Sequence, residues 1–189
     1  RLIVSLMLMT VGTVGMYIGI VGLKPIAAEF GTSRGVGSLP YALFMLGYGF
    51  GNVIHGRLAD RYGILLPLLI GSVALPAGLI LSAQAESLWQ FLAVIALLGG
   101  TLGSSAVFAP IIADVSLWFT GRRGLAVAFV LSGSYFAGAI WPPVLQYLIS
   151  EYGWRSAFVT VGYFCLATMV PMSLLLYRKP AHLFADKGA

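Results

Sequence analysis

The chain has 189 residues, of which 59% are hydrophobic and only 9% charged, against roughly 25% charged residues in an ordinary soluble domain. Its 17 charged side chains, 11 Lys and Arg plus 6 Asp and Glu, are too few to cover a water-soluble globule, so the outside faces lipid. The formal charge of +5 does not point to nucleic acid, because the charges sit between apolar runs instead of gathering on one face.

A spanning helix needs about 20 mostly apolar residues, and the 24 glycines suit membrane helices packed backbone to backbone. The apolar and polar alternation of a spanning barrel is missing. Arg1 opens the chain without Met or a signal pattern and reads as a boundary within a longer polypeptide. In chain order, apolar runs and breakers predict six transmembrane helices in an all-α membrane protein. The first covers residues 2–23, closed by Lys24 and Pro25 and the polar stretch around Gly31, Ser33 and Arg34. The second covers 37–54, the third 64–83 and the fourth 88–117. The fifth covers 125–149 and the sixth 157–177, ended by Arg178, Lys179 and Pro180.

Eight basic residues fall on one side of this scheme: Arg1, Arg57, Arg61, Arg122, Arg123, Arg178, Lys179 and Lys187. The other side holds Lys24, Arg34 and Arg155. Lys and Arg concentrate on the cytoplasmic side of a membrane, so both ends of the segment are placed inside. Trp89, Trp118, Tyr152, Trp154 and Tyr177 lie at predicted span ends, as an interfacial aromatic belt requires. Asp60-Arg61-Tyr62-Gly63 between the second and third spans is echoed by Glu151-Tyr152-Gly153-Trp154-Arg155 between the fifth and sixth. Three helices followed by three related helices of opposite orientation form the 3+3 inverted repeat of many secondary transporters.

Enzyme chemistry finds no constellation. An intramembrane serine protease needs an activated Ser with a His in hydrogen-bond reach, but His55 ends the second span, His182 falls beyond the sixth, and neither Ser104-Ser105 nor Ser132-Gly133-Ser134 reads as a nucleophile motif. Two isolated His residues and Cys165 in an apolar stretch make no metal cluster, and no cofactor is implied.

The most specific stretch is Gly56-Arg57-Leu58-Ala59-Asp60-Arg61-Tyr62-Gly63, a tight turn with an acid in a basic loop. Its bland reading is a solvated positive-inside loop. Gly56, Leu58, Asp60, Arg61 and Gly63 resemble the signature loop of the major facilitator superfamily, departing at Ile64 and Leu65, where the family carries basic residues. Further motifs narrow the likeness: Trp118-Phe119 with Arg122-Arg123-Gly124-Leu125-Ala126, then Pro142-Pro143, Gly153-Trp154-Arg155, and Lys24-Pro25 through Arg34. Together these are similar to the monocarboxylate porter and oxalate/formate exchanger group. The resemblance implies the amino-terminal six-helix half of a twelve-helix carrier in the plasma (cell inner) membrane. The partners it implies are a carboxy-terminal six-helix half, the lipid bilayer and a small organic anion moved by alternating access, with proton coupling, as in symport.

By the same resemblance, Asp60 and Arg61 belong to a gate latch. Asp114, an acid near a helix end about two turns before Arg122, is costly in lipid unless paired or hydrated. Two roles are open for it, a latch pairing with Arg61 or Arg57 and a proton relay. The cavity candidates are Tyr17, Asn52, Arg123, Ser132 and Tyr135, with Ser134 beside them. Arg123 matches a family Arg linked to substrate passage and serves equally as a positive-inside anchor. Tyr17 falls where animal members carry a Lys, with Lys24 as the alternative cation. The other polar groups either orient an anion or bond across helices. A carrier of another solute or drug, and a half-size carrier working as a dimer, are the competing readings. The drug-antiporter glycine and proline signature is missing from the fifth helix.

Overall fold

The computed structural model describes residues 1–31 and 38–176. The predicted features at Thr32 to Gly37, Arg34 among them, and from Tyr177 onward, including Arg178, Lys179, His182 and Lys187, lie outside the described residues. Helices α1 (Leu2–Gly12), α2 (Val14–Val21) and α3 (Leu23–Glu29) follow one another as a segmented rod. Then come α4 (Leu39–Tyr62) and α5 (Leu65–Ala83). A composite rod follows, made of α6 (Leu88–Val94), a π-helical segment (Ile95–Ser104) and α7 (Ser105–Trp118). The last helix is α8 (Arg123–Leu175). The described residues are otherwise turns and short connections, with no strand among them.

Two glycines shape this architecture. Gly63 has φ 83 and ψ 171, and Gly153 has φ 79 and ψ 158. That region is essentially closed to residues with a Cβ. Gly63 therefore ends α4 abruptly. Gly153 puts a kink inside α8, whose 53 residues would otherwise run about 80 Å as one helix, more than twice the hydrocarbon thickness. The kink divides α8 into a first limb (123–152) and a second limb (154–175). The sequence echo between Asp60-to-Gly63 and Glu151-to-Gly153 is thus matched by a shared backbone conformation at its two glycines.

Boundaries differ from expectation in an informative way. The second helix was expected to end at residue 54 but continues to Tyr62. Arg57, Leu58, Asp60 and Arg61 are good or neutral helix formers, and Arg61 in the last turn complements the carbonyl end of the helix. The expected break from 150 to 156 narrows to Gly153. Among the described residues four stretches are long and apolar enough to cross a membrane: Leu2–Val21, Leu65–Ala83, Leu88–Trp118 and Arg123–Leu175. α4 has the length, but Asn52, His55 and its glycines and tyrosines dilute its apolar character.

The core gathers Leu8, Met9, Leu75, Leu79, Val107, Ile111, Phe158, Val161 and Cys165 from the rods. α5 packs along α8, α1 along α8, and α4 along the π segment. A hydroxyl pair, Ser72 and Ser173 at 2.7 Å, joins α5 to the second limb of α8. The outside is also apolar: Phe50, Leu97, Leu125, Leu174 and Leu175 are exposed. In water such coverage would drive aggregation, and in a bilayer it is the required surface.

A non-glycine residue at the φ of Gly63 or Gly153 costs roughly 1–3 kcal/mol. Gly63→Ala and Gly153→Ala should each lower the midpoint of thermal unfolding in detergent. Gly56→Ala is the internal control, because it lies within α4 and an added Cβ there meets nothing within 4 Å. It should leave the midpoint unchanged or raise it, as alanine is the better helix former by about 1 kcal/mol. Equal losses at all three positions would refute the conformational argument.

Candidate functional site

Asp114 lies on α7 with 3% of its surface exposed, in a region where an unpaired carboxylate is prohibitively costly. Its partner is Arg1. Nε and Nη2 of the guanidinium donate to Oδ2 and Oδ1, each at 2.8 Å, in a forked arrangement. Nη2 also donates to the carbonyl of Leu176 at 3.2 Å, and the guanidinium carbon lies 4.2 Å from the centre of a Trp118 ring. This corrects the expectation that Asp114 pairs with Arg61 or Arg57. Both of those lie on α4 and are exposed, whereas Arg1 starts the rod that packs against α7 and reaches the acid from a half-buried position. One side chain thus ties together the ends of α1, α7 and the second limb of α8.

A second clamp sits at the opposite end of the same rod. Glu29 ends α3, and its Oε1 accepts from Arg155 Nε at 3.0 Å and from Nη2 at 2.8 Å. Its Oε2 accepts a short hydrogen bond from the Trp154 indole. Arg155 further donates to the carbonyls of Ala83, by a short bond, and of Ala85, at 2.9 Å. The guanidinium lies 4.6 Å from the Trp154 ring centre. Trp154 was expected in the interfacial belt but is 5% exposed, enclosed by Phe30, Phe91 and Phe158. Glu29 lies beyond the membrane-spanning part of its rod. Burial pushes its carboxyl up, but hydrogen bonds from Arg155 and Trp154 and the charge of Arg155 outweigh this and hold it below the ordinary value of 4.5. Sequence reasoning did not join Glu29 to Arg155. The signal was there: an acid and a base placed on the same side of the membrane, with few other charges to choose from.

The signature turn looks different. Asp60 and Arg61 are exposed at the end of α4, and Arg61 lies 5.4 Å from the Tyr62 ring centre. Neither makes an ion pair among the described residues. Gly56 and Leu58 are half-buried, and Gly63 supplies the sharp exit.

The cavity candidates separate into bonded and free groups. Tyr17 donates to the Ser134 carbonyl at 3.3 Å, which ties α2 to α8. Ser132 donates to Phe129 of its own helix at 2.6 Å. Asn52 donates to the Tyr48 carbonyl at 2.8 Å, leaving its carbonyl oxygen buried without a partner among the described residues. Tyr135, 82% exposed, and Arg123, also exposed, make no hydrogen bond among the described residues. Lys24 is exposed. His55 was expected at a span end but is buried inside α4. Its Nδ1 lies 3.0 Å from the Gly51 carbonyl and 3.1 Å from Ser105 Oγ. Ser105 gives its own proton to the Thr101 carbonyl at 2.6 Å, so both neighbours of Nδ1 are acceptors and the imidazole proton is on that nitrogen. Among the described residues no cluster of His, Cys, Asp and Glu could hold a metal ion.

Residues 3–188 match the Major Facilitator Superfamily. Among curated proteins the chain is 35% identical over 149 residues to "Monocarboxylate transporter 12-B" of Danio rerio, covering 79% of this chain and 30% of the relative. It is 33% identical over 152 residues to "Monocarboxylate transporter 12" of Homo sapiens, covering 77% and 28%. It is also 35% identical over 136 residues to "Agnestins efflux protein AgnL12" of Paecilomyces divaricatus, covering 71% and 30%. The matched segment therefore spans less than a third of each relative's length.

The two clamps differ in burial and so in weight. Asp114→Asn strands a half-buried guanidinium and should cost about 3 kcal/mol, the low end for a buried pair; pairing it with Arg1→Gln should cost less than the two single losses added together. Glu29→Gln, at side chains 41% and 38% exposed, should cost only about 0.2–1 kcal/mol at neutral pH. The depressed carboxyl stabilises the fold above its unfolded value and ceases to do so as pH falls through its folded value, below about 4.5. Thermal unfolding from pH 7 to pH 3 should show the Glu29→Gln deficit shrinking only in that acid range. A pH-independent deficit would exclude the charge-based account of the Glu29–Arg155 clamp.

Proposed function

The chain belongs to the Major Facilitator Superfamily, and we propose that it is the amino-terminal bundle of a secondary carrier moving a small, monocarboxylate-like organic anion by alternating access. The rods are read as six spans: α1 with α2, which α3 continues beyond the membrane, then α4, α5, α6 to α7 with the π segment between them, and the two limbs of α8. The shared glycine conformation at Gly63 and Gly153 supports a 3+3 inverted repeat within them. Both ends of the segment are placed on the cytoplasmic side, in the plasma membrane. A second six-helix body, supplied by the rest of a longer polypeptide, completes the cavity around a midplane site.

The observation that carries this reading is the contrast between the clamps and the signature turn. Asp114, Glu29 and Arg155 are committed to partners inside the bundle, whereas Asp60 and Arg61 stand exposed at the end of α4 with no ion pair among the described residues. A charged pair held out at a helix end is placed to engage a second body and release it, which is what an inner gate requires. Asp114, taken by Arg1, belongs to the frame and not to the latch. Arg123 and Tyr135, with free polar groups on the first limb of α8, are the groups we assign to anion passage. Asn52, with its unpartnered oxygen on α4, is assigned to the cavity wall. Tyr17 and Ser132 hold helices. The named monocarboxylate transporters among the relatives support the anion class, and proton coupling is assigned by the same likeness.

The fungal efflux relative supports a second reading, export of another solute. Uptake into proteoliposomes by the full-length polypeptide separates the two: lactate, pyruvate, formate or oxalate should accumulate, faster with an inward proton gradient. Failure of all four, with outward transport of another solute or drug instead, would replace the anion reading by the export reading. Asp60→Asn should slow uptake about tenfold, equivalent to ~1.4 kcal/mol, without lowering the unfolding midpoint, since the side chain is exposed. Wild-type rates in that variant would remove Asp60 from the gate.

A further inference from the structure

We propose that bending within this bundle is concentrated where the Thr13 break in the first rod crosses the π segment Ile95–Ser104, through local conversion of that segment between π and α geometry. The inference builds on the alternating-access reading and names the moving element inside it. It starts from the two clamps. The first rod is fastened to the second limb of α8 at one end through Arg1 and the Leu176 carbonyl, and at the other through Glu29 with Trp154 and Arg155. A rod pinned to the same neighbour at both ends cannot tilt against it. Deformation is left to the middle.

The middle is where both crossing rods are irregular. At Thr13 (φ −82, ψ −5) the helical ladder is interrupted, and the Met16 amide bonds back to the Thr13 carbonyl at 3.1 Å, a three-residue span. The Thr13 hydroxyl takes the Met9 carbonyl at 2.5 Å, a back-bond of the kind that bends helices. In the crossing rod, ten residues are wound as a π-helix, a form rare beyond single turns. Thr101 Oγ1 donates to the carbonyl of Ala96, five residues back, at 3.0 Å. The two irregular stretches touch at Gly15 and Ser104: a Cβ on Gly15 would lie 2.7 Å from Ser104 Oγ and 3.0 Å from the Phe44 ring.

Ser104 supplies the bias. It is 3% exposed, and its hydroxyl has no partner among the described residues. Three other buried serines satisfy theirs four residues back, although Ser5 does not: Ser72 on the Leu68 carbonyl at 2.6 Å, Ser82 on Gly78 at 2.5 Å and Ser105 on Thr101 at 2.6 Å. If residues 95–104 rewind to α geometry, the Gly100 carbonyl comes into the same relation to Ser104. The π form therefore carries an unsatisfied buried hydroxyl that the α form satisfies. Its extra winding gives the rod a place to shorten or lengthen its register without disturbing either clamp.

Amide hydrogen exchange read by mass spectrometry on the full-length polypeptide in nanodiscs tests this without any substrate. Exchange across 95–104 should exceed that across α5, and Ser104→Ala, which removes the gain on rewinding, should slow it about tenfold while leaving the clamp ends unchanged. Gly15→Ala, whose added methyl abuts Ser104, should slow transport, and Ser104→Ala in the same chain should relieve the crowding and restore its unfolding midpoint. Exchange across 95–104 no faster than across α5, or insensitive to Ser104→Ala, overturns the proposal and leaves the transport reading standing. Absence of anion uptake with this exchange pattern intact overturns the transport reading instead.

Discussion

A carboxylate buried where water cannot reach it must bring its own counter-charge, and the pairing of Asp114 with Arg1 is how this bundle meets that demand. The acid is 3% exposed, and its forked bonds, the Leu176 carbonyl and the Trp118 face together leave the guanidinium well satisfied on several sides. Such a pair contributes little net attraction once desolvation is counted, but it punishes every arrangement in which the partners separate. It therefore acts as a register device. The start of α1, the end of α7 and the end of α8 are fixed relative to one another because no other docking keeps both charges paired. At the opposite end Arg155 does the same for α3, α5 and the second limb of α8, at lower stakes because its site is half open to solvent.

Between the clamps the chain uses no charge at all on α5, α6 or the π segment, and relies on close approach. Where Gly47 and Gly100 face each other's rods, an added Cβ would come within 2.5 Å of the Ala96 carbonyl and 2.6 Å of the Phe44 carbonyl respectively. Lipid offers no hydrophobic drive for helices to associate, so dispersion across such narrow seams and a few internal hydrogen bonds must hold the rods together. His55 shows how the polar groups are rationed. Its ring donates from Nδ1 to the Gly51 carbonyl in a seam closed by Ser105 and Thr101, an arrangement that joins α4 to the composite rod.

Much of this was legible in the residues, and the parts that were not share a cause. Asp114 stood out because an isolated acid in an apolar run has few bland explanations, and Gly63 and Gly153 stood out because each ends a short charged repeat. The identity of the partner was hidden: Arg1 and Asp114 are 113 positions apart, and a helical period says which face a residue occupies but not which distant face meets it. The end of the second helix was misplaced because hydropathy marks where the membrane ends, not where the helix does. Arg57 to Arg61 leave the apolar run while keeping helical geometry. The π segment had no sequence signal of its own, since its glycines read equally well as close-packing residues of an α-helix. Winding is decided by neighbours such as Phe44 and Leu75 pressing on Gly100 and Gly103.

The distribution of polar satisfaction then separates the charged pairs from the neutral buried groups. Groups that fix the frame are fully bonded: Asp114 on both oxygens, Glu29 on both oxygens, Arg155 on three acceptors. The buried groups left without a partner among the described residues are neutral ones: Ser5 Oγ on α1, Asn52 Oδ1 on α4, Ser104 Oγ at the end of the π segment, Trp118 Nε1 beside the Arg1 guanidinium and Ser134 Oγ on α8. A buried unsatisfied oxygen costs about 1–3 kcal/mol, which is tolerable in a structure with several states if another state recovers it. A bundle built only for stability would satisfy these oxygens and leave the surface charges to chance. Here the two ion pairs are satisfied, several neutral buried groups are not, and Asp60 and Arg61 are held out at the end of α4. That ordering is what a body needs if it must keep its own shape while working against a second one.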